Sequence, residues 1–190
     1  MTDHEVSGPP PVEAIEAQDA SRSKGPRPDG GREVQVPQEA RALSMLASVD
    51  YCDAFRADID SGHVLTAEQL ARTMLEDPPM LVRAVFKTAW RIMGLRLDSS
   101  QPGRSLVGWE LRRNEPDTAL MAARSPLGFD AEILTMREEK AILVAVFVRL
   151  ENRLARTIWA GIGPAHKRTA RYLLGFGRVA AMRASERSRS

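Results

Sequence analysis

Residues 141–176 of this chain read AILVAVFVRLENRLARTIWAGIGPAHKRTARYLLGF, and this stretch decides the fold. Its first ten residues are apolar and rich in β-branched side chains, as in a buried strand. After Arg149 the apolar residues recur at every fourth position, which is typical of a helix with one buried face; they are Leu150, Leu154, Ile158 and Ile162. The stretch therefore predicts a buried strand that leads directly into a long amphipathic helix over residues 152–176.

Composition restricts the class of protein. The chain has 190 residues, 43% of them hydrophobic, which is enough for one domain with a sizeable core. Its single cysteine, Cys52, excludes an internal disulfide framework and is typical of a reducing compartment. The N-terminus lacks the basic and apolar regions of a signal peptide, and the longest apolar run, residues 141–148, is too short to cross a bilayer. We therefore expect a cytoplasmic protein with no transmembrane segment.

The net charge of +2 is distributed unevenly along the chain. Residues 1–38 carry seven acidic and four basic side chains, whereas residues 149–190 carry ten basic and two acidic ones. Basic segments bind the phosphates of nucleic acid or of anionic lipid. Here the arginines are spread along a helix and a short tail without interleaved aromatic residues, so we expect no specific nucleic-acid binding. Contact of this helix with a membrane or a partner stays open.

The two ends of the chain are predicted to be tails. Residues 1–38 are rich in Pro, Gly, Ser and acidic residues and poor in bulky apolar ones. Burial cannot offset the entropy cost of ordering such a segment, so we predict a disordered N-terminal tail. A basic C-terminal tail is predicted over residues 178–190, because the GFGR sequence at residues 175–178 is interpreted as a helix end. The folded domain between them covers residues 39–177.

A strand and two helices are predicted in the first half of this domain. Alternation in VDYCDAFRADI, residues 49–59, places five side chains on one face of the strand; they are Tyr51, Asp53, Phe55, Ala57 and Ile59. Thr66 and Gln69 have the spacing of a capping box for a helix over residues 67–76. After Pro78 and Pro79 a second helix over residues 80–93 is predicted. Its apolar stripe comprises Leu81, Val85, Ala89 and Ile92, widened by Val82, Phe86 and Trp90.

Four further strands are predicted in the second half, over residues 106–113, 118–124, 127–137 and 140–150. The connections between them are short and have turn chemistry, so consecutive strands must be antiparallel neighbours. The element order is strand, two helices, antiparallel strands and long helix. This order predicts an α+β protein and not a βαβ sheet.

Three segments carry a resemblance to a known family: VDYCDAF at residues 49–55, GFDAEIL at residues 128–134 and VRLENRLARTIWAGIGPAHKR at residues 148–168. The spacings Asn-x-x-x-Arg and Trp-x-x-x-x-Pro-x-His in the last segment are the most specific; they fall on Asn152, Arg156, Trp159, Pro164 and His166. Together with the element order, these motifs resemble an uncharacterised bacterial family, domain of unknown function 2867. It lies within the START/polyketide-cyclase (SRPBCC) superfamily.

The resemblance implies a helix-grip fold, an antiparallel sheet wrapped on the long C-terminal helix, with a two-helix insertion after the first strand. It also implies a cavity between sheet and helix that holds a small apolar molecule. Activities in the wider superfamily range from lipid carriage to cyclisation, so no reaction is implied. The chain departs from the family pattern at three positions: Glu151 replaces a histidine, Ala155 replaces a glycine, and Ile158 replaces a tyrosine.

Two functions of different classes follow as hypotheses. The first is binding of a lipid-like or aromatic molecule in this cavity. The second is a polyketide-cyclase-like enzyme with His166 or Asp53 as general base on a carbonyl substrate. The residues expected to contact the ligand are Tyr51, Trp109, Phe129, Phe147, Ile158, Trp159 and His166. Each of the aromatic residues is also ordinary core material. Gly161, Gly163 and Pro164 would loosen the helix midway, which we interpret as a helix that bends over a space.

Metal and cofactor sites are not expected. His166 has no second histidine, cysteine or carboxylate at ligand spacing nearby in the sequence. The glycine motifs of nucleotide-binding loops are absent from the sequence, so we expect no cofactor. Cys52 is either a nucleophile or a small buried hydrophobic residue, and we favour the second because no base lies near it in the sequence.

Overall fold

A computed structural model describes residues 30–59, 65–97 and 103–189. The long C-terminal stretch forms the predicted strand and helix, and the remaining elements are arranged around them. In chain order the elements are β1 (Arg32–Val34), α1 (Gln38–Ala42), β2 (Tyr51–Asp58), α2 (Ala67–Glu76), α3 (Met80–Ile92), β3 (Ser105–Leu106), β4 (Trp109–Glu115), β5 (Thr118–Ser125), β6 (Phe129–Arg137), β7 (Ala141–Leu150) and α4 (Arg153–Arg189). The α+β class predicted from the sequence is confirmed.

The strands form one antiparallel sheet in the order β1-β2-β7-β6-β5-β4-β3. Strands β4 to β7 are a meander, as their short connections predict. On the other side, β2 pairs with β7 along its whole length. The strand predicted over residues 106–113 is divided into β3 and β4, because Val107 and Gly108 have φ angles of 52° and 89°. Two successive positive φ angles are typical of a tight hairpin turn.

Strand β7 is buried on both faces, which explains its continuous apolar sequence. Its alternate side chains Ile142, Val144, Val146 and Val148 belong to an inner core beneath the helices α2, α3 and α4. The intervening Leu143, Ala145 and Phe147 belong to an outer core on the other face, which Val36 and Ala40 cover. An antiparallel sheet with a long C-terminal helix on its inner face is the helix-grip arrangement, and the two-helix insertion follows β2 as predicted.

Helix α2 has the predicted bounds and cap. The Thr66 side chain accepts a hydrogen bond from the Gln69 N–H, and the Gln69 side chain accepts one from the Thr66 N–H. The apolar face of α2 contacts the inner core through Leu70, Met74 and Leu75. Local capping chemistry is therefore sufficient to position this helix start.

The apolar stripe predicted for α3 is only partly correct. Leu81 and Ile92 are 77% and 57% exposed, whereas Phe86 and Trp90 are buried. Val85 is 58% exposed but borders the space between α3 and the sheet. The helix is apolar over more than one face, so its periodicity does not select the buried one. The aromatic rings select it, because Trp90 packs against both Phe86 and Trp109, with ring centroids 4.8 and 5.3 Å apart.

Helix α4 is longer than predicted. It continues through Pro164 and ends at Arg189, so residues 178–189 of the expected basic tail are helical. Ala181, Ala184 and Ser185 are buried there, which shows that this part of α4 packs against the domain. Its sequence is rich in alanine and arginine, both strong helix formers, and the glycines at residues 175 and 177 do not end the helix.

The N-terminal boundary also differs from the prediction. Strand β1 lies within residues 1–38, which were assigned to a disordered tail, and it pairs with β2 from Arg32 opposite Arg56 to Val34 opposite Ala54. Lys167 of α4 donates to Glu33 at 2.6 Å, so β1 also contacts the long helix. A strand of three residues with one apolar side chain, Val34, gives only a weak strand signal, because its order comes from the neighbouring strand. Residues 1–29 lie outside the described part of the chain.

Candidate functional site

A cavity of about 160 Å³ lies between the inner face of the sheet and the three helices α2, α3 and α4. Alternate residues of β6 and β7 form its floor, among them Ala131, Ile133 and Val146. Each helix contributes apolar side chains to the walls, including Met74 of α2, Trp90 of α3 and Ile162 of α4. The lining is apolar except at a few positions; the residues with polar side-chain atoms are Trp90, Trp109, Thr135, Trp159, His166 and Thr169.

Three of the residues predicted to bind a ligand line this cavity. Trp109 stands at the start of β4, and Trp159 and His166 lie on α4. The two α4 side chains are neighbours, with ring centroids 5.4 Å apart. They are seven residues apart, which corresponds to two helical turns and places them on the same face of α4. The motif that carries the family resemblance therefore has two of its residues in the cavity wall.

The other four predicted residues do not line the cavity. Phe147 faces the outer core, since it alternates with Val146 and Val148 along β7. Phe129 is fully buried in the inner core but is not part of the wall, and Ile158 packs against that core from the neighbouring position on α4. Tyr51 is half-buried at the side of the cavity, where its ring centroid is 4.9 Å from that of Trp159.

A hydrogen-bonded chain of three polar side chains lies along one wall of the cavity. The Tyr51 hydroxyl donates to Asp53 Oδ2 at 2.6 Å. His166 Nε2 lies 3.2 Å from the same oxygen and 3.4 Å from Asp53 Oδ1. The Asp53 side chain is 4% exposed and that of His166 is 18% exposed. Tyr51, Asp53 and His166 therefore form one polar cluster at the edge of an otherwise apolar space, which we call the polar triad.

Sheet pairing brings the polar triad together. Tyr51 and Asp53 are alternate residues of β2 and point to the same face of the sheet. Asp53 is paired with Val146, a floor residue, so its carboxylate points to the cavity side. Helix α4 crosses this side of the sheet and contacts β2, which places His166 above Asp53. Sequence reasoning named His166 and Asp53 as alternative bases and did not predict that they are in contact.

The Tyr51 hydroxyl is the proton donor at one end of the polar triad. Burial, and in second place the hydrogen bond to the Asp53 carboxylate, raise the pKa of Tyr51 above its usual range, so the hydroxyl keeps its proton. In the tautomer that carries its proton on Nε2, His166 can donate to the Asp53 carboxylate, and the ring lone pair is then on Nδ1. A buried carboxylate that orients a histidine in this way stabilises the imidazolium that forms when the ring accepts a proton.

Sequence reasoning missed Thr135, the α3 side chains Phe86 and Trp90, and Met93 just after α3 in the cavity wall. The alternation of β6 would have placed Thr135 on the same face as Ala131 and Ile133, so this residue had a detectable signal. The α3 residues had none beyond their apolar character, because the helix is apolar on several faces.

The remaining sequence candidates lie elsewhere. Cys52 is half-buried and packs on the outer core, on the opposite face of β2 from Asp53. Within residues 30–59, 65–97 and 103–189, no group of three or more His, Cys, Asp and Glu side chains is arranged to hold a metal ion. Over the same ranges, no helix combines the length and the hydropathy that are needed to cross a membrane.

No family model matches the chain, and no curated protein matches it. Among solved structures, the chain is similar to the crystal structure of the di-domain ARO/CYC BexL from the BE-7585A biosynthetic pathway. The two sequences are 13% identical, and the TM-score is 0.38. The similarity covers 89% of this chain, which spans 58% of the length of BexL. It is also similar to a protein from Arthrobacter aurescens solved by NMR, with 12% identity, a TM-score of 0.28, and 67% of this chain and 91% of the other covered. No residue role or activity is carried over from either.

Proposed function

We propose that this protein binds a small, largely apolar molecule, lipid-like or aromatic, in the cavity between the sheet and the helices α2, α3 and α4. The observation that carries the proposal is the apolar cavity itself. Native interiors are close-packed, so apolar side chains that border free space lack the contacts that packed neighbours provide. The side chains around the 160 Å³ here are of this kind. An apolar molecule in the cavity provides these contacts and removes the apolar surface from water.

The resemblance to the domain of unknown function 2867 family, within the START/polyketide-cyclase superfamily, supports the same proposal. It implies a ligand cavity between the sheet and the C-terminal helix, and two residues of its motif, Trp159 and His166, line the cavity described above. Family membership is part of the proposal. The single cysteine is in keeping with the reducing cytoplasm in which we propose that the protein works.

Native mass spectrometry of the full chain, purified without detergent, tests the binding function. We expect the native protein to have a mass above that of the polypeptide alone. On denaturation the mass should fall to that of the polypeptide. The released molecule can then be identified by mass spectrometry of an organic extract. In parallel, an environment-sensitive apolar dye should bind the protein, and the extract should displace it. A protein that carries no ligand and takes up no apolar dye would contradict the proposal.

A second candidate function is proton transfer on a bound carbonyl compound, and the polar triad is the observation that favours it. In this scheme His166 Nδ1 accepts a proton from the carbon next to a carbonyl group. The C–H electron pair becomes the C=C bond of an enolate, and the negative charge moves to the carbonyl oxygen. Asp53 stabilises the imidazolium through Nε2–H, so Asp53 is a positioning residue and His166 is the base.

Deuterium exchange distinguishes this enzyme function from binding alone. Acetophenone in D₂O exchanges its methyl hydrogens slowly, and NMR follows the loss of the methyl signal. A catalytic His166 should accelerate the exchange by about a hundredfold or more, which is the usual contribution of a general base. His166→Gln and Asp53→Asn should both abolish the acceleration while acetophenone still binds. If the wild-type protein binds acetophenone and exchange is no faster than in buffer, the protein is a binding module.

A further inference from the structure

Two buried polar atoms in the cavity wall lack a hydrogen-bond partner among the described residues. They are the indole Nε1 of Trp109 and the hydroxyl Oγ1 of Thr135. Trp109 is 2% exposed and Thr135 is 0% exposed, and both residues line the cavity. The other threonine of the wall, Thr169, differs from Thr135, because its hydroxyl donates to the Ala165 carbonyl at 3.0 Å.

The surroundings of these two atoms explain why the protein does not satisfy them. On the neighbouring strands Thr135 is paired with Ala119 and Val144, whose side chains have no hydrogen-bonding groups. The ring nearest to Trp109 is that of Trp90, and an indole has no strong acceptor atom. A buried polar group without a partner is costly, so native proteins nearly always provide one. Because both residues line the cavity, a molecule bound there can provide the partner.

We infer that the ligand of this cavity is an oxygenated compound, with an acceptor oxygen on the Trp109 N–H and a hydroxyl or carbonyl oxygen on Thr135. This inference rests on the proposed binding function and defines its ligand class. The indole N–H only donates, so the oxygen that it contacts must be an acceptor: a carbonyl, ether or hydroxyl oxygen. The Thr135 hydroxyl donates and accepts, so it contacts either a hydroxyl or a carbonyl group.

The sheet register separates the two oxygen positions. Glu110 is paired with Ala122 on β5, which places Trp109 opposite Ala123, whereas Thr135 is paired with Ala119 on the same strand. Four residues of strand correspond to about 13 Å. The ligand is therefore an apolar skeleton with oxygen functions at separate positions, and the apolar floor between them contacts its hydrocarbon part. A plain hydrocarbon chain leaves both atoms unsatisfied, and a strongly polar molecule is excluded by the floor.

A matched pair of probes tests this inference. Acetophenone and cumene have nearly the same shape, and the carbonyl oxygen of the first replaces a methyl group of the second. Both are measured by NMR titration of the full chain and of Trp109→Phe, Thr135→Val and the double variant. Each substitution removes the polar atom and keeps most of the side-chain volume. Thr157→Val is the matched control, because that hydroxyl lies outside the cavity and donates to the Arg153 carbonyl.

The double variant should lose about tenfold in affinity for acetophenone relative to cumene, equivalent to about 1.4 kcal/mol. The single variants then show which atom the carbonyl group contacts, and Thr157→Val should leave the ratio unchanged. An unchanged ratio in the double variant, with both probes bound, overturns this inference alone. If the wild-type protein binds neither probe, the proposed binding function itself fails.

The ligand-free proteins provide a second readout. Because the Thr135 hydroxyl has no partner in the free protein, Thr135→Val should leave the denaturant midpoint of unfolding unchanged or raise it. A clear decrease of the midpoint would show that a protein group or a buried water already satisfies the hydroxyl. That result would also overturn the inference, whatever the probes do.

Discussion

Two alanines on opposite faces of the sheet provide the sharpest test of whether the cavity exists. Ala131 on β6 lies on the inner face between Ala123 and Val148, and it lines the cavity. Ala145 on β7 lies on the outer face between Ala54 and Leu134, where it is 0% exposed in the closed outer core. Both are central strand positions, so the same substitution at each isolates the effect of free volume.

Leucine adds three carbon atoms at either position. At Ala131 they extend into empty space, and at about 0.8 kcal/mol for each buried methylene they raise the free energy of unfolding by up to about 2.4 kcal/mol. At Ala145 there is no space for them, and overpacking should lower the free energy of unfolding by about 1–3 kcal/mol. The two variants should therefore differ by about 1–5 kcal/mol although the substitution is the same.

Denaturant unfolding followed by tryptophan fluorescence measures both free energies, and an apolar dye measures the remaining space. Ala131→Leu should be at least as stable as the wild-type protein and should take up no dye. Ala145→Leu should be less stable and should still bind dye under conditions where it is folded. If Ala131→Leu is destabilised as much as Ala145→Leu, the inner face is as tightly packed as the outer one, and the argument from the cavity is wrong.

Three further predictions concern pH, the N-terminal strand and the long helix. The folded state raises the pKa of Tyr51 above its usual value of about 10. The contribution of Tyr51 to stability is therefore complete below about pH 10 and is lost as the pH rises further. Denaturant unfolding at a series of pH values should show that Tyr51→Phe flattens this alkaline loss of stability. A chain that begins at residue 38 lacks β1 and the Glu33–Lys167 ion pair. It should unfold at a lower denaturant concentration than a chain that begins at residue 30. Equal unfolding midpoints would show that β1 contributes nothing to stability. Gly161→Ala should raise the free energy of unfolding by about 0.5–1 kcal/mol, since a Cβ there meets no atom within 4 Å, and a decrease in a thermal or denaturant melt would contradict this.

Local chemistry explains the parts of the fold that the sequence predicts well. The bounds of α2 follow from the capping box at Thr66 and from the Pro78–Pro79 pair that follows the helix. The antiparallel meander follows from turn residues between short apolar runs, and β7 follows from its continuous apolar sequence. Each of these signals lies within a few residues of the feature that it predicts.

The errors occur where order comes from distant residues. Strand β1 is too short for a clear apolar pattern, with only Val34 and Val36 alternating, and it is ordered by pairing with β2 and by contacts with α4. The buried face of α3 is chosen by the position of Trp109 on the sheet, and the helical end of α4 by packing of Ala181 and Ala184. The polar triad is the clearest case. Asp53 and His166 are 113 residues apart, so each can be singled out in the sequence but their contact cannot be predicted from it.

The junction between β7 and α4 is held by side chains that do not line the cavity. Asn152 Oδ1 accepts the Ala155 N–H at 2.9 Å and so caps α4, while its Nδ2 donates to the Leu127 carbonyl at 3.1 Å. One turn later, Arg156 donates to Asp50 Oδ1 at 3.1 Å. The other oxygen of Asp50 accepts the N–H of Leu150, the last residue of β7, at 2.8 Å. These bonds fix the direction in which α4 leaves the sheet.

That direction determines where His166 lies. His166 is about four turns along α4 from Asn152, roughly 21 Å at 1.5 Å per residue. A change of about 5° at the helix start therefore displaces His166 by about 2 Å, enough to break its 3.2 Å contact with Asp53. The Asn-x-x-x-Arg part of the motif thus orients the helix, and the Trp and His part lines the cavity. We therefore expect Asn152 and Arg156 to influence the geometry of the polar triad, although neither lines the cavity.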